Sequence, residues 1–278
     1  MGRAVSFDRG IGTGRFDQAN KSGEKTQTMS NWPQDYGRRV LAEVDSTNAE
    51  AARIAPQLAG PEWILGLRQT QGRGRRGRAW VDPNGNFAGT LVMRPAESPD
   101  QVALRSFVAS LALYDAFVAV TGRSDGLSLK WPNDVLLNGG KVAGILLESA
   151  GMAGGAVSHI AIGIGVNLAQ APDTGAVETQ ATRPVSLLSE TGAAVSPEEF
   201  LDALAPAYAQ WEAQFATYGF EPIRTAWLAR AARIGEVITA RTTRDETTGT
   251  FETVDSAGNL VLKTAKGRVA IPAADIFF

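Results

Sequence analysis

The chain has 278 residues, 44% of them hydrophobic and 20% charged, which is material for one large domain or two unequal ones. A formal net charge of −2 argues against a protein that coats nucleic acid by general basic charge. Cysteine is absent, which removes disulfides, thiolate metal sites and cysteine nucleophiles and fits a reducing, cytoplasmic setting.

Residues 1–34 are polar, glycine-bearing and without period, so a disordered extension is expected there. They show no secretory signal, and no apolar run along the chain approaches the ~18–20 residues of a membrane span. "RRVLAEVDSTNAEAARIA" reads as strand, turn, helix, with Thr47 as N-cap and Glu50 closing a capping box. "WILGLRQT" and "NFAGTLVMRP" are short buried strands on either side of an arginine-rich loop. Ser98-Pro99-Asp100-Gln101 is a boxed helix start, and that helix should run to about Val120 and end at Gly122. "LSLKWPNDVLLNGGKVAGILLES" reads as strand, turn, strand, Asn-Gly-Gly turn, strand. "HIAIGIGVNL" is a glycine-punctuated strand, and 170–184 is loop. Ser196-Pro197-Glu198-Glu199 opens a second helix to about Tyr218, and a third covers Glu221 to Ala231. After Arg233 come four or five short strands, with turns at Thr248-Gly249, Ala257-Gly258 and Lys266-Gly267. The fold class is therefore α+β, with a main domain over 35–232 and an antiparallel β appendage over 233–278 too small to supply a full core of its own.

Three stretches carry chemistry. In "GRGRRGRAW", Gly72 to Trp80, four arginines crowd six residues between glycines. A helix face would space its charges at three and four and avoid glycine. Guanidinium groups take phosphates and carboxylates bidentately, and glycine lets the backbone approach a ligand. The stretch is thus a lid over an anionic small molecule, or else a solvated basic loop or RNA-binding patch. In "KWPNDVLLNGGK", a hairpin brings Lys141 back toward Lys130, Asn133 and Asp134, a set suited to a polyphosphate and magnesium. The plain alternative is a hairpin with surface charges. In "GIGVN", Gly163 to Asn167, glycines in a strand mark close approach by a ligand or ordinary sheet packing. No Walker or dinucleotide fingerprint is present, and His159, the single histidine, lies beside an apolar strand without a partner motif.

In this order — "STN" at 46–48, "QGRGRRGRAW", "KWPNDVLLNGGKVAGILLE", "GIGVN", then the small β appendage — the stretches resemble the biotin–protein ligases, from about residue 38 to the end. The resemblance implies a mixed β-sheet backed by helices plus an SH3-like barrel. It implies that biotin and ATP form biotinyl-5′-AMP, whose biotin then passes to a lysine of a biotin carboxyl carrier domain. Members with an N-terminal winged helix-turn-helix also repress transcription; the segment before Arg38 is too short and aperiodic for one, so DNA binding is not expected. By carry-over, Ser46, Thr47, Asn48, Gln69, Gly72, Arg73, Arg75, Arg76, Trp80, Lys141, Gly144, Gly163 and Gly165 match the biotin site. Arg75, Arg76, Trp80, Lys130, Asn133, Asp134, Lys141 and Asn167 match the ATP site, with Asp134 toward magnesium. Lys141, Arg75 and Asp134 are the catalytic candidates. Gln71 stands where a small residue is commoner in the family. A lipoate–protein ligase or octanoyl transferase of the same fold is the nearest rival; the arginine loop and the appendage argue against it. A homodimer is compatible with the sequence, and no membrane association is expected.

Overall fold

Strand alternation divides the main sheet into two unlike faces. The computed structural model describes residues 31–80, 83–153, 156–172, 182–242 and 244–277, so most of the expected N-terminal extension and residues 173–181 of the expected loop lie outside it. Seven strands form the sheet: β1 (Gly37–Leu41), β2 (Glu62–Gly66), β3 (Phe87–Met93), β4 (Leu127–Lys130), β5 (Asp134–Leu137), β6 (Gly140–Ala153) and β7 (Ala156–Val166). Their order is β1-β2-β3-β7-β6-β5-β4, and only β1 and β2 run parallel. Side chains alternate with period two. Trp63, Leu65, Leu91, Ile160, Ile162 and Ile164 therefore face a large apolar core, while Ile64, Val92 and Ala161 face a small cluster beneath helix α1 (Thr47–Ile54). Thr90 pairs with Gly163, Ala88 with Gly165, and Gly165 in turn with Gly144. Cross-strand partners share a face, so beyond α1 the second face is a floor of small residues. That bare strip makes room for the site.

The core face is covered by α2 (Pro99–Ala103), α3 (Arg105–Thr121) and α5 (Pro197–Tyr218), with the short α4 (Leu187–Thr191) between them in sequence and α6 (Phe220–Leu228) after them. The helix expected from Ser98 is two, broken at Leu104, and Ser98 makes no side-chain cap; Gly122 ends the second in the left-handed region, as expected. Residues 99–121 are long and apolar enough to cross a membrane by length and composition, contrary to the expectation from the sequence. Their apolarity instead matches burial of Phe107, Val108, Leu111, Leu113 and Phe117 in the core. Ser196 and Glu199 form the expected capping box of α5, worth about 1 kcal/mol. The expected box at Thr47 does not form: Ser46 is the N-cap, Glu50 pairs with Arg53, and the Thr47 hydroxyl turns into the site. Trp32 packs against the core, and its indole donates to the Tyr36 carbonyl at 2.6 Å.

The C-terminal appendage is a five-stranded antiparallel sheet with the character of an SH3-like barrel. Its strands are β8 (Val237–Arg241), β9 (Glu246–Val254), β10 (Leu260–Thr264), β11 (Gly267–Ile271) and β12 (Asp275–Phe277), in the order β11-β10-β9-β8-β12. The turn expected at Thr248-Gly249 is absent, since Gly249 pairs with Ile238 inside β9. The reversal falls between Arg241 and Glu246, where the Thr242 hydroxyl accepts from the Asp245 amide at 2.9 Å. Ile238, Phe251, Leu260 and Ile276 join the same core as the helices. The Trp131 indole donates to the Gly258 carbonyl at 3.0 Å, which fastens a turn of the appendage to the Trp-Pro-Asn-Asp turn.

Candidate active site

A cleft of about 490 Å³ lies over the small-residue floor, between the start of α1, the arginine loop, the 130–134 turn and strand β12. Of the residues matched to the biotin and ATP sites, all but Gly72 and Arg76 line it. Gly72 sits at the loop's base, where a Cβ would come within 2.8 Å of the Trp80 carbonyl oxygen and 2.9 Å of Gln69 Nε2. Arg76 takes a left-handed conformation, φ 57°, and turns its guanidinium to Asp275 instead.

One end of the cleft is uncharged and rich in hydrogen-bonding groups. Ser46, Thr47 and Asn48 are buried there at the first turn of α1. The Thr47 amide donates to Gln69 Oε1 at 2.9 Å, and the two side-chain oxygens lie 3.1 Å apart. Asn48 sits over Gly163, where a Cβ would come within 2.4 Å of Asn48 Oδ1. Any larger residue at 163 would evict that amide. Behind this end, outside the lining, stand Thr90 and Glu148, which the sequence does not point to: Thr90 Oγ1 donates to Asn48 Oδ1 at 2.7 Å, and Asn48 Nδ2 donates to Glu148 Oε2 at 2.7 Å. Their signal was the strand register, which puts both on the glycine face.

The other end is cationic. The hairpin of β5 and β6 pairs Leu136 with Lys141 across a bulge, so the lysine reaches back along β5. Lys141 Nζ lies 2.6 Å from Asp134 Oδ1, an ionic contact that occupies an otherwise unpartnered buried carboxylate oxygen. Burial holds the Lys130 ammonium below the usual lysine value despite Asp134 and Asp275 nearby, and it donates to Thr182 Oγ1 at 2.6 Å. Asn133 Nδ2 donates to the Ile145 carbonyl at 2.7 Å, which turns Asn133 Oδ1 toward Arg75 Nη1 at 3.2 Å. Burial lowers the Arg75 pKa from its ordinary value, yet guanidinium stays charged at any physiological pH. Asn167 Oδ1, buried at the edge of the cleft, has no hydrogen-bond partner among the described residues.

Between the ends stands Trp80. A Cβ on Gly165 would come within 2.4 Å of its ring, and one on Gly144 within 3.3 Å, so the two glycines admit the indole flat against the sheet. Lys141 Nζ lies 5.7 Å from the ring centroid, within cation–π range. The arginine loop is held from outside by Asp275 of β12, which the sequence reading did not single out. Its carboxylate meets Arg76 directly, Arg78 Nη2 at 3.3 Å and Arg75 Nη1 at 4.0 Å. Among the described residues no group of three or more His, Cys, Asp or Glu side chains is arranged to hold a metal ion.

Residues 40–167 match the model of the biotin/lipoate A/B protein ligase family, and residues 234–278 match that of the biotin protein ligase C-terminal domain. The biotin–[acetyl-CoA-carboxylase] ligase of Paracoccus denitrificans is 62% identical over 86% of this chain and 99% of its own length. A bifunctional ligase/repressor, BirA, of Bacillus spizizenii is 31% identical over 91% of this chain and 76% of that protein. Among solved structures, the biotin protein ligase from Aquifex aeolicus in complex with biotin and ATP superposes with a TM-score of 0.72 at 24% identity, covering 86% of this chain and 97% of that one. At that identity the likeness bears on the fold.

Proposed function

The chain belongs to the biotin/lipoate A/B protein ligase family, and we propose that its cleft carries out both steps of a biotin–protein ligase: biotin and ATP give biotinyl-5′-AMP and pyrophosphate, and the biotinyl group then passes to a carrier-domain lysine. The observation that carries this reading is the division of one cleft into a neutral, hydrogen-bonding end and a cationic end, with Trp80 between them. The neutral end suits the uncharged ring of the vitamin. The cationic end suits its carboxylate and the phosphates.

The first step joins two anions. At 4 Å two unit charges repel by about 1 kcal/mol in water and about 4 kcal/mol where the effective dielectric constant falls to 20. Lys141, Lys130 and Arg75 offset that repulsion and stabilise charge passing onto pyrophosphate as the carboxylate oxygen bonds to the α-phosphorus. The donor set fits magnesium that arrives with ATP, since such ions take one or two carboxylates and complete their shell with phosphate and water. Asp134 would hold it, and the ion would neutralise phosphate charge. No protein nucleophile is needed. The product is a mixed anhydride that water destroys, which favours a loop able to close over it. Gly74 and Gly77 give residues 73–78 that freedom. In the second step the acceptor amine attacks the acyl carbon, AMP leaves, and the amine's proton passes to the departing AMP or to solvent; Asp134 is the candidate for orienting the amine.

Expected partner and setting are a biotin carboxyl carrier domain in the cytoplasm. The reading is tested by adding ATP with biotin or with lipoate and following pyrophosphate, then adding a carrier domain. Biotin-dependent pyrophosphate and a biotinylated carrier support it; lipoate-dependent release alone would replace it with the sister activity.

A further inference from the structure

Thr182, Arg183 and Pro184 fall in the loop expected over 170–184, yet they run as a strap along the start of β6. The Lys141 amide donates to the Arg183 carbonyl at 2.8 Å, and the Val185 amide donates back to the Lys141 carbonyl at 3.0 Å. Asn167 Nδ2 donates to the Val185 carbonyl at 3.0 Å. These bonds tie the strap to the strand start that carries Lys141. Half-buried Thr182 lies in the cleft lining, and its Oγ1 accepts from Lys130 Nζ at 2.6 Å. Lys130 belongs to β4, 52 residues earlier in the chain. The charges around Lys130 show why a hydroxyl matters there. Asp134 and Asp275 attract its ammonium, and Lys141 repels it. Both carboxylates also serve other cations: Asp134 meets Lys141 at 2.6 Å, and Asp275 gathers the loop arginines.

We infer that Thr182 is a positioning residue for nucleotide activation: its hydroxyl aims the Lys130 ammonium at the phosphates without cancelling its charge. A lysine head sits on a flexible stem and can rotate, so its direction is set by the groups that accept from it. A carboxylate in place of Thr182 would hold the head as firmly but neutralise it, and that charge is what offsets the repulsion between the anionic reactants. A neutral oxygen takes a proton contact and leaves the charge undiminished. The same strap is bonded to the Lys141 main chain, so one short segment sets both lysines of the cationic end. The inference rests on the proposed activity, because it takes the triphosphate of ATP as the ligand at this end.

The test is the KM for ATP in biotin-dependent pyrophosphate release, followed into alkaline pH, beside biotin affinity by calorimetry. Wild type must release pyrophosphate with biotin and ATP; if it releases none, it is the functional reading that fails. Thr182→Val keeps the side chain's shape and removes the acceptor. It raises the KM for ATP about tenfold and leaves the biotin Kd within about twofold, and Thr182→Ser restores the wild-type KM. A hydrogen bond to the ammonium favours its charged form, so losing it lowers the Lys130 pKa further and moves the alkaline fall in nucleotide affinity to lower pH. Lys130→Met removes the group being aimed, and adding Thr182→Val to it changes the KM for ATP by no more than about twofold. A KM for ATP in Thr182→Val within about twofold of wild type overturns the inference. So does an alkaline limb that Thr182→Val leaves in place, or a loss that persists undiminished in the Lys130→Met background.

Discussion

Lys141 Nζ lies 2.6 Å from Asp134 Oδ1, across a hairpin that the Asn138-Gly139 turn closes. The pair places a cation where carboxylate and α-phosphate must meet, and its carboxylate keeps the lysine from folding onto solvent. Lys141→Ala should lower the rate of biotin-dependent pyrophosphate release by about 10²–10³-fold, the usual effect of removing a group that stabilises developing charge. A rate within threefold of wild type, roughly 0.6 kcal/mol by the tenfold-per-1.4 kcal/mol relation, would remove Lys141 from the mechanism.

Arg75 is the loop arginine that reaches inward, to Asn133 and the Ala274 carbonyl. Its loss should matter more to the intermediate than to its formation. Arg75→Ala should speed dissociation of biotinyl-5′-AMP about tenfold or more and biotinylate bystander lysines, because a charge-assisted contact is worth ~1.5–3 kcal/mol. Rapid-dilution trapping of the adenylate gives the rate; an unaltered off-rate contradicts the lid.

Asp275 should act through the loop. It gathers Arg75, Arg76 and Arg78 from the opposite sheet, so Asp275→Asn removes the charge that holds three guanidiniums together. These contacts are partly exposed, and each is worth little alone. The expectation is faster tryptic cleavage within 73–78 with the melting temperature unchanged. Cleavage at the wild-type rate would show that the loop keeps its place without β12.

Gly165→Ala tests the floor. A methyl group there would lie within 2.4 Å of the Trp80 ring, and both the backbone and the sheet are rigid neighbours. The indole must lift, and the KM for ATP should rise about tenfold with the fold intact. Normal kinetics would mean that Trp80 does not need the floor.

Lys130 gives the pH dependence. Burial lowers its pKa from the ordinary lysine value, so it loses its proton at a lower pH than a solvated lysine, whose pKa is ~10.4. Nucleotide affinity should fall on the alkaline side as pH rises through that lowered pKa, and Lys130→Arg should carry the limb upward. The stability effect has the opposite sign. The unfolded chain binds more protons across that window, so this residue's contribution to stability grows with pH. An alkaline limb that Lys130→Arg leaves in place would assign it to another group.

Much of this site could be read from the chain because its parts are local. The arginine loop, the Trp-Pro-Asn-Asp turn and the Asn-Gly turn each depend on residues within a dozen positions, and so does the return of Lys141 to Asp134. What could not be read is held across distance. Asp275 meets the loop from 197 residues away at Arg78, and Glu148 meets Asn48 from 100 residues away. No spacing along the chain announces such a contact. The glycines at 163 and 165 allowed two readings until the register set them opposite Thr90 and Ala88 on the face away from the helical core. Thr47 fits a helix cap by position and chemistry, but its hydroxyl is engaged with Gln69 and Thr90, and Ser46 takes the cap position.

Closure of the arginine loop on two mutually repelling reactants is what the whole mechanism requires. Amide hydrogen exchange across residues 72–80, measured with biotin alone, with ATP alone and with both, addresses it directly. Exchange should slow about tenfold or more only when both are present and the adenylate has formed. Exchange that stays at the free rate while pyrophosphate is being released would mean that the chemistry proceeds without the loop.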